Sequence, residues 1–171
     1  RRTMKITVQQ GEIQKENADA LIVNLFFGAQ PSGASGAIDQ ALDGQIRTAI
    51  DLGDFKGEAN ETLLLYTQGR IAAPRVLVVG LGNQQDFDLE GARRAAGTAI
   101  AALIRSGARN AATILHGTGM GKLPVEASAQ AVAEASILAA YRFDAYRTKN
   151  RSQPLKKLRI VEFDPDKLQD A

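Results

Sequence analysis

The chain has 171 residues, of which 21 are basic and 19 acidic, for a formal net charge of +2. It contains no cysteine and a single histidine, His116, which excludes disulfides, thiolate nucleophiles and a two-histidine zinc site within these residues. This length predicts one domain that buries about 70% of the surface of its unfolded chain. The near balance of charge gives no argument for nucleic acid, and no apolar run approaches the roughly 18 residues of a membrane helix. We therefore expect a cytoplasmic globular domain.

Six short segments have the residue pattern of β-strands. In chain order they are Met4–Val8, Ala20–Leu25, Thr62–Thr67, Arg75–Val79, Ala112–Leu115 and Leu158–Phe163. Within the fourth run, Val76–Val79 is continuously apolar, which is typical of a strand covered by helices on both faces of a sheet. The sequence therefore predicts a three-layer α/β/α domain with a mixed, mostly parallel sheet.

Three segments between these strands have the periodicity of helices. The first repeats every fourth residue and predicts one helix behind a Ser35 cap: Ile38, Leu42, Ile46 and Ile50. The second predicts a helix behind Asp88: Leu89, Ala92, Ala96, Ile100 and Leu103. Asp86 and Asp88 are interpreted as a helix start, and Asp39 and Asp43 as the solvated face of the first helix.

The third helical segment runs through Ala131–Asn150, with Pro124 and Glu126 in its first turn. Its predicted buried face consists of residues spaced by three and four: Val132, Ala135, Ala139, Phe143 and Tyr146. Arg142, Arg147 and Lys149 place positive charge near its end, where the last carbonyls are unpaired. The pattern predicts a packed helix and indicates no chemistry.

Two glycine loops follow predicted strands. Gly80-Leu-Gly-Asn-Gln-Gln85 lacks the third glycine of a dinucleotide fingerprint, so we interpret it as an ordinary strand-to-helix turn. His116-Gly-Thr-Gly-Met-Gly-Lys122 is not a P-loop, because a histidine and Leu123 replace its first glycine and its Ser or Thr. The second loop could offer backbone amides to an anion, although a structural turn is the favoured interpretation.

Two polar residues near strand ends are candidates for a site. His116 has no acidic residue near it in sequence to orient its ring, so the favoured interpretation is a strand-end histidine rather than a base or ligand. Asp19 precedes the second strand, where a carboxylate could bind a nucleobase amine or a ribose, and a turn is the alternative.

Three segments in their order and spacing resemble the N-terminal domain of the leucyl aminopeptidase, or cytosol aminopeptidase, family. They are Phe55–Leu65, then Arg75–Gly82 with Leu89–Gly97, and Ala133–Lys149. Ser35–Leu42 also fits, so the resemblance covers nearly the whole chain. It implies a macro-domain-like fold over residues 4–171 that precedes a catalytic domain absent from this chain.

The resemblance also implies the chemistry of a parent protein. Family members are similar in binding two divalent metals, zinc or manganese, through downstream lysine, aspartate and glutamate side chains, and in forming homohexamers. The family's Asn-Thr-Asp-Ala-Glu-Gly-Arg block does not occur in this sequence. No catalytic and no metal-binding residue is therefore carried over, and we expect this chain to be an excised domain that is inactive alone.

Two other functions are kept as alternatives. The same fold resembles macrodomains that bind ADP-ribose, and the residues that would hold such a ligand are Asp19, Asn24, Gly117, Thr118 and Gly119. Against this, Phe26 and Phe27 replace small residues and would crowd the ribose loop. Some bacterial family members resemble DNA-binding proteins, which salt-dependent binding to duplex DNA would test.

Overall fold

The computed structural model describes residues 3–119, 122–145 and 154–171. Six strands form one sheet with the order β1-β6-β5-β2-β4-β3, in which only β3 is antiparallel to its neighbour. The strands are β1 Lys5–Gln10, β2 Ala20–Leu25, β3 Thr62–Tyr66, β4 Arg75–Gly80, β5 Asn110–Thr113 and β6 Lys157–Glu162. The mixed, mostly parallel sheet is confirmed.

Helices cover both faces of the sheet. They are α1 Gly33–Ala41, α2 Gln45–Asp51, α3 Leu89–Ser106, α4 Val125–Ala145 and the short α5 Pro165–Leu168. The helices α1 and α2 pack with Leu21, Val23 and Val78 into one core. On the opposite face, α3 and α4 pack over Ile22 and Leu77. Alternate residues of each strand thus enter different cores, as a three-layer α/β/α domain requires.

The extent predicted for the first helix is wrong, because the segment forms two helices. Asp43 and Gly44 have φ angles of 53° and 79°, so the backbone turns into the left-handed region between α1 and α2. Ile38 and Leu42 belong with α1 and Ile46 with α2, and all three are fully buried. Their regular spacing therefore reports one shared core and not one continuous helix.

The start of α1 also differs from the prediction. Ser32, not Ser35, is the N-cap, and Ser35 completes a capping box by accepting a hydrogen bond from the Ser32 backbone N–H. Ser35 was predicted to be the N-cap, but it lies in the first turn of the helix, three residues after the N-cap.

Asp39 is buried, which contradicts its predicted place on a solvated face. Its Oδ1 accepts hydrogen bonds from the backbone N–H groups of Ile46 at 2.9 Å and Arg47 at 3.1 Å, and its Oδ2 lies 2.9 Å from the Arg47 guanidinium. The carboxylate therefore caps the first turn of α2 from outside that helix. Asp43, in contrast, is exposed and forms an ion pair with Arg70.

The start of α3 was predicted correctly. Asp88 accepts a hydrogen bond from Gly91 N–H at the N-cap, and Gly107 ends the helix in the left-handed conformation. The next helix, α4, begins directly after Pro124, with Glu126 in its first turn. Val132 is buried and Phe143 partly buried, as predicted. The predicted continuation from Tyr146 to Asn150 lies outside the described residues.

The strand β5 lies two residues earlier than the predicted Ala112–Leu115. Asp19 N–H donates to the Asn110 carbonyl, and the Asp19 carboxylate accepts hydrogen bonds from Arg109 and Asn110 N–H, so pairing with β2 starts there. Pairing ends at Thr113, opposite Ile22.

The loop before β3, which includes Lys56 and Gly57, forms hydrogen bonds with the residues that follow β2 and β4. Gly82 N–H donates to the Gly57 carbonyl, and Gly28 N–H donates to the Lys56 carbonyl, so the loop lies between the ends of β2 and β4. The Glu61 carboxylate accepts hydrogen bonds from the backbone N–H groups of Lys56 and Glu58 and keeps the loop folded.

Among the described helices, none combines the length and the apolar character needed to cross a membrane.

Candidate functional site

The carboxyl ends of β2 and β5 meet at the switch point of the sheet. The chain leaves β2 toward α1 on one face, and it leaves β5 toward α4 on the other. Because the two connections diverge, they leave a crevice outside the strand ends, where open α/β sheets commonly bind ligands.

A cleft of about 280 Å³ occupies this crevice. Asn24 lies at its β2 side and the Gly117–Gly119 loop at its β5 side. The start of α1, together with Glu162 at the end of β6 and Lys167 in α5, completes the walls. Four of the five residues predicted for a nucleotide site therefore line one cleft: Asn24, Gly117, Thr118 and Gly119.

The fifth predicted residue, Asp19, lies near the opposite end of β2 from the cleft. It precedes β2, whereas Asn24 is close to the end of that strand. Its carboxylate oxygen Oδ2 accepts hydrogen bonds from Arg109 N–H at 2.8 Å and Asn110 N–H at 3.0 Å. The structure thus gives Asp19 the turn role and does not bring it to the cleft.

Asn24 is held in place by His116. The Asn24 side-chain nitrogen Nδ2 lies 2.9 Å from His116 Nδ1. Because an amide nitrogen only donates, Nδ1 must accept this hydrogen bond, which places the ring proton of neutral His116 on Nε2. Asn24 borders the cleft, and its Oδ1 makes no hydrogen bond with any residue that the structure describes.

Burial keeps the histidine neutral. The His116 side chain is almost completely inaccessible, and desolvation lowers its pKa from 6.5 to about 4. The buried Ser128 hydroxyl donates to the His116 carbonyl oxygen at 2.8 Å and fixes the backbone at this point. The ring is therefore a rigid acceptor for Asn24 at neutral pH.

Sequence reasoning missed this pair because it searched near His116 for an acidic partner. The actual partner is an amide on β2, 92 positions away. The predicted parallel sheet is the signal that could have revealed this contact, because the carboxyl ends of neighbouring parallel strands lie at the same end of the sheet.

The glycine loop beside this pair carries backbone N–H donors. No described residue accepts a hydrogen bond from the N–H groups of Gly117, Thr118 or Gly119. A Cβ on Gly117 would lie 2.2 Å from Phe87 Cε1, so the close packing of Phe87 requires glycine there. At the start of α1, in contrast, the capping box of Ser32 and Ser35 already uses part of the hydrogen-bonding capacity of the helix end.

The two phenylalanines after β2 lie in different environments. Phe26 is buried and packs edge-on against Phe87, with ring centroids 5.3 Å apart, and part of it borders the cleft. Phe27 is half-exposed and lines a different cavity. The expectation that both rings crowd the ribose loop therefore does not hold for Phe27.

The other cavity, of about 400 Å³, lies beside the carboxyl end of β4. The first glycine loop forms its floor, and Glu58, Asp86 and Arg94 supply exposed charges at its walls. A Cβ on Gly80 would lie 2.0 Å from the Glu58 carbonyl oxygen, so this glycine serves contact with the chain's own loop. Within the described residues, no group of three or more His, Cys, Asp or Glu side chains is close enough to hold a metal ion.

Solved structures with the same architecture include macrodomains. The Trypanosoma brucei macrodomain in complex with ADP superposes with a TM-score of 0.73 at 15% identity, covering 96% of this chain and 66% of that one. A mutant of tomato leucine aminopeptidase superposes with a TM-score of 0.74 at 19% identity, covering 98% of this chain and 34% of that one. At these identities the likeness shows a shared, macro-domain-like fold alone.

The family follows from sequence. Residues 22–150 match the family model described as the cytosol aminopeptidase family, N-terminal domain. The chain is also 33% identical over 150 residues to a probable cytosol aminopeptidase of Alkaliphilus oremlandii, covering 87% of this chain and 30% of that protein. The chain therefore belongs to the cytosol aminopeptidase family, and it corresponds to the N-terminal domain of that family. It spans less than a third of the length of this relative.

Proposed function

We propose that the chain is the non-catalytic N-terminal domain of a metal-dependent leucyl aminopeptidase, which removes N-terminal amino acids from peptides. The observation that carries this proposal is the match to the N-terminal domain of the family combined with the small share of the relative that the chain spans. The role of the domain in the whole protein is structural, regulatory or in assembly.

The rest of the proposed protein supplies the chemistry. Two divalent metals, zinc or manganese, act in the catalytic domain, where they activate water and polarise the peptide carbonyl. The direct partner of this chain is that catalytic domain, and the full-length protein is a cytoplasmic homohexamer. No step of hydrolysis is assigned to a residue of this chain.

The test compares the 171-residue chain with a full-length relative. Hydrolysis of leucine amide is measured with added manganese and with added zinc, using the Alkaliphilus oremlandii protein as the positive control. The full-length protein should turn over substrate and the chain should not. Metal-dependent turnover by the chain alone would contradict the non-catalytic assignment.

A second function is favoured by the cleft at the switch point. Asn24 offers a fixed acceptor suited to a hydroxyl donor, and the loop of Gly117–Gly119 offers backbone N–H groups that no described residue accepts from and that suit an anion. A ribose and a phosphate together satisfy both, so the alternative function is binding of ADP-ribose or a related nucleotide.

Calorimetric titration with ADP-ribose tests this alternative. Saturable heat that Gly119→Asp abolishes is the expected result, because the new carboxylate would repel phosphate at the loop. Gly97→Asp is the matched control, since a Cβ meets open space at both glycines and Gly97 lies on α3 away from the cleft. If the unmodified chain gives no heat, the nucleotide function is wrong.

A further inference from the structure

The side chains of Asn24 and His116 meet just beyond the last paired residues of two neighbouring strands. Pairing of β2 with β5 ends at Ile22 and Thr113, and Asn24 and His116 follow that point in their own segments. The ring of His116 is almost inaccessible and does not border the cleft, whereas Asn24 does. The amide of Asn24 therefore lies between a buried ring and the cleft.

The hydrogen bond to the ring determines which end of this amide is engaged. Asn24 Nδ2 lies 2.9 Å from His116 Nδ1, and an amide nitrogen donates but does not accept. A neutral histidine with its proton on Nε2 has a lone pair on Nδ1 for this bond, whereas the other tautomer would require the amide oxygen in that place. The tautomer of one ring thus decides whether the oxygen or the nitrogen of the amide remains for a ligand.

The surroundings of His116 hold the ring in one place and one charge state. Desolvation lowers its pKa to about 4, so the ring is neutral at pH 7. Ser128, a fully buried residue of α4, donates its hydroxyl to the His116 carbonyl oxygen at 2.8 Å. A side chain that orients a ligand-binding group needs packing and hydrogen bonds of this kind around it.

We propose that His116 is a positioning residue, which holds the Asn24 amide so that Oδ1 is the group presented to a ligand. The β2 side of the cleft then accepts a hydrogen bond from a hydroxyl and disfavours an anion, whose oxygens accept rather than donate. On the other side, the backbone N–H groups of Gly117–Gly119 only donate and suit an anion. A sugar phosphate is therefore bound in one direction, with a hydroxyl toward Asn24 and the phosphate toward the loop.

The ligand class rests on the nucleotide function proposed above, whereas the orientation of the amide does not.

Nitrogen NMR of the ligand-free chain tests the amide orientation, because His116 is the only histidine and its ring signals need no assignment. At pH 7.5 the long-range proton–nitrogen spectrum should show a protonated Nε2 and an unprotonated Nδ1. Asn24→Asp offers only carboxylate oxygens, so the ring proton should move to Nδ1 in this variant. Asn83→Asp is the matched control, since it adds the same charge at an exposed position beside the other cavity and should leave the tautomer unchanged.

Two NMR results would overturn the proposal. One is a protonated Nδ1 in the unmodified chain. The other is the same tautomer in the unmodified chain and in a folded Asn24→Asp variant, since the ring would then not be bonded to residue 24. Backbone amide spectra establish that each variant is folded.

Calorimetric titration with ADP-ribose separates positioning from a general structural role. His116→Leu removes the acceptor and leaves the Asn24 amide free to rotate, so the affinity should fall at least roughly tenfold. His116→Gln keeps a neutral acceptor at this position, and its affinity should stay within about threefold of that of the unmodified chain. Equal weakening by both variants would overturn the positioning role.

The positioning role and the nucleotide function fail separately. If the unmodified chain gives no heat, the nucleotide function and the hydroxyl specificity are both wrong, and the NMR result still decides the orientation of the amide. If the chain binds ADP-ribose and folded H116L binds it as tightly, the nucleotide function stands and the positioning role of His116 is wrong.

Discussion

At the scale of single residues, His116 couples the fold to pH. Its pKa is about 4 in the folded chain and about 6.5 when unfolded, because burial disfavours the charged ring. Between these values the unfolded state binds more protons than the folded state. The stability that neutral His116 contributes is therefore fully present above about pH 6.5 and is lost as pH falls toward 4.

We predict that acid destabilises the chain more than a variant without this ring. The shift corresponds to a loss of roughly 3 kcal/mol in the free energy of unfolding by pH 4. His116→Gln keeps an acceptor for Asn24 and does not titrate, so its loss between pH 7.5 and pH 4.5 should be smaller. Urea denaturation of both proteins at both pH values measures the difference. Parallel losses would show that the ring does not carry the effect.

A second residue-scale prediction concerns the glycines. Gly80→Ala places a methyl group 2.0 Å from the Glu58 carbonyl oxygen and 2.8 Å from the Gly57 carbonyl carbon, so backbone must move. We expect a destabilisation of at least roughly 1–3 kcal/mol. Gly97→Ala in α3 meets open space, and should be neutral or stabilising by up to about 1 kcal/mol. Denaturant midpoints for the two variants should shift in opposite directions or by clearly different amounts.

At the scale of elements, α2 depends on a carboxylate from α1. Asp39→Ala removes the acceptor of the Ile46 and Arg47 N–H groups and the partner of the Arg47 guanidinium, so we expect a loss of roughly 2–4 kcal/mol. Asp39→Asn keeps one oxygen acceptor and should lose less. Hydrogen exchange should locate the faster opening in α2, and equal exchange in the unmodified chain and D39A would contradict the capping role.

The same pair of helices shows what periodicity predicts. The spacing of Ile38, Leu42 and Ile46 correctly identified buried positions, because both helices cover one face of the sheet. It could not reveal the turn at Asp43 and Gly44, since the apolar spacing continues across it. The Asp-Gly pair was the available signal for a turn. Strand β2, bounded by a turn residue and a loop, was predicted at its observed limits.

At the scale of the whole molecule, fold class followed from continuously apolar strands alternating with helical segments. The candidate site was harder to predict from the sequence than the fold class. Asn24 and the loop of Gly117–Gly119 were proposed together through a resemblance, whereas the contact between Asn24 and His116 depends on β2 and β5 being neighbours. Strand order is set by tertiary packing and is not written in any local pattern.

Strand order also yields a whole-molecule prediction. Because β6 lies between β1 and β5, a chain ending at residue 153 would leave β1 unpaired and expose one side of β5. We expect it to lose cooperative thermal unfolding and to bind a hydrophobic dye. A chain ending at Asp164, which keeps all six strands, is the control and should melt cooperatively. A cooperative transition in the shorter chain would show that β6 is dispensable.

The pairing of β1 with β6 sets the timing of folding during synthesis. Lys5 lies opposite Lys157, so β1 cannot pair with β6 until roughly 150 further residues have been synthesised. At roughly 5–20 residues per second the wait is on the order of ten seconds or more, during which β1 has no strand to join. Codon choice between β1 and β6 would therefore lengthen or shorten the time for which the edges of β1 stay unpaired.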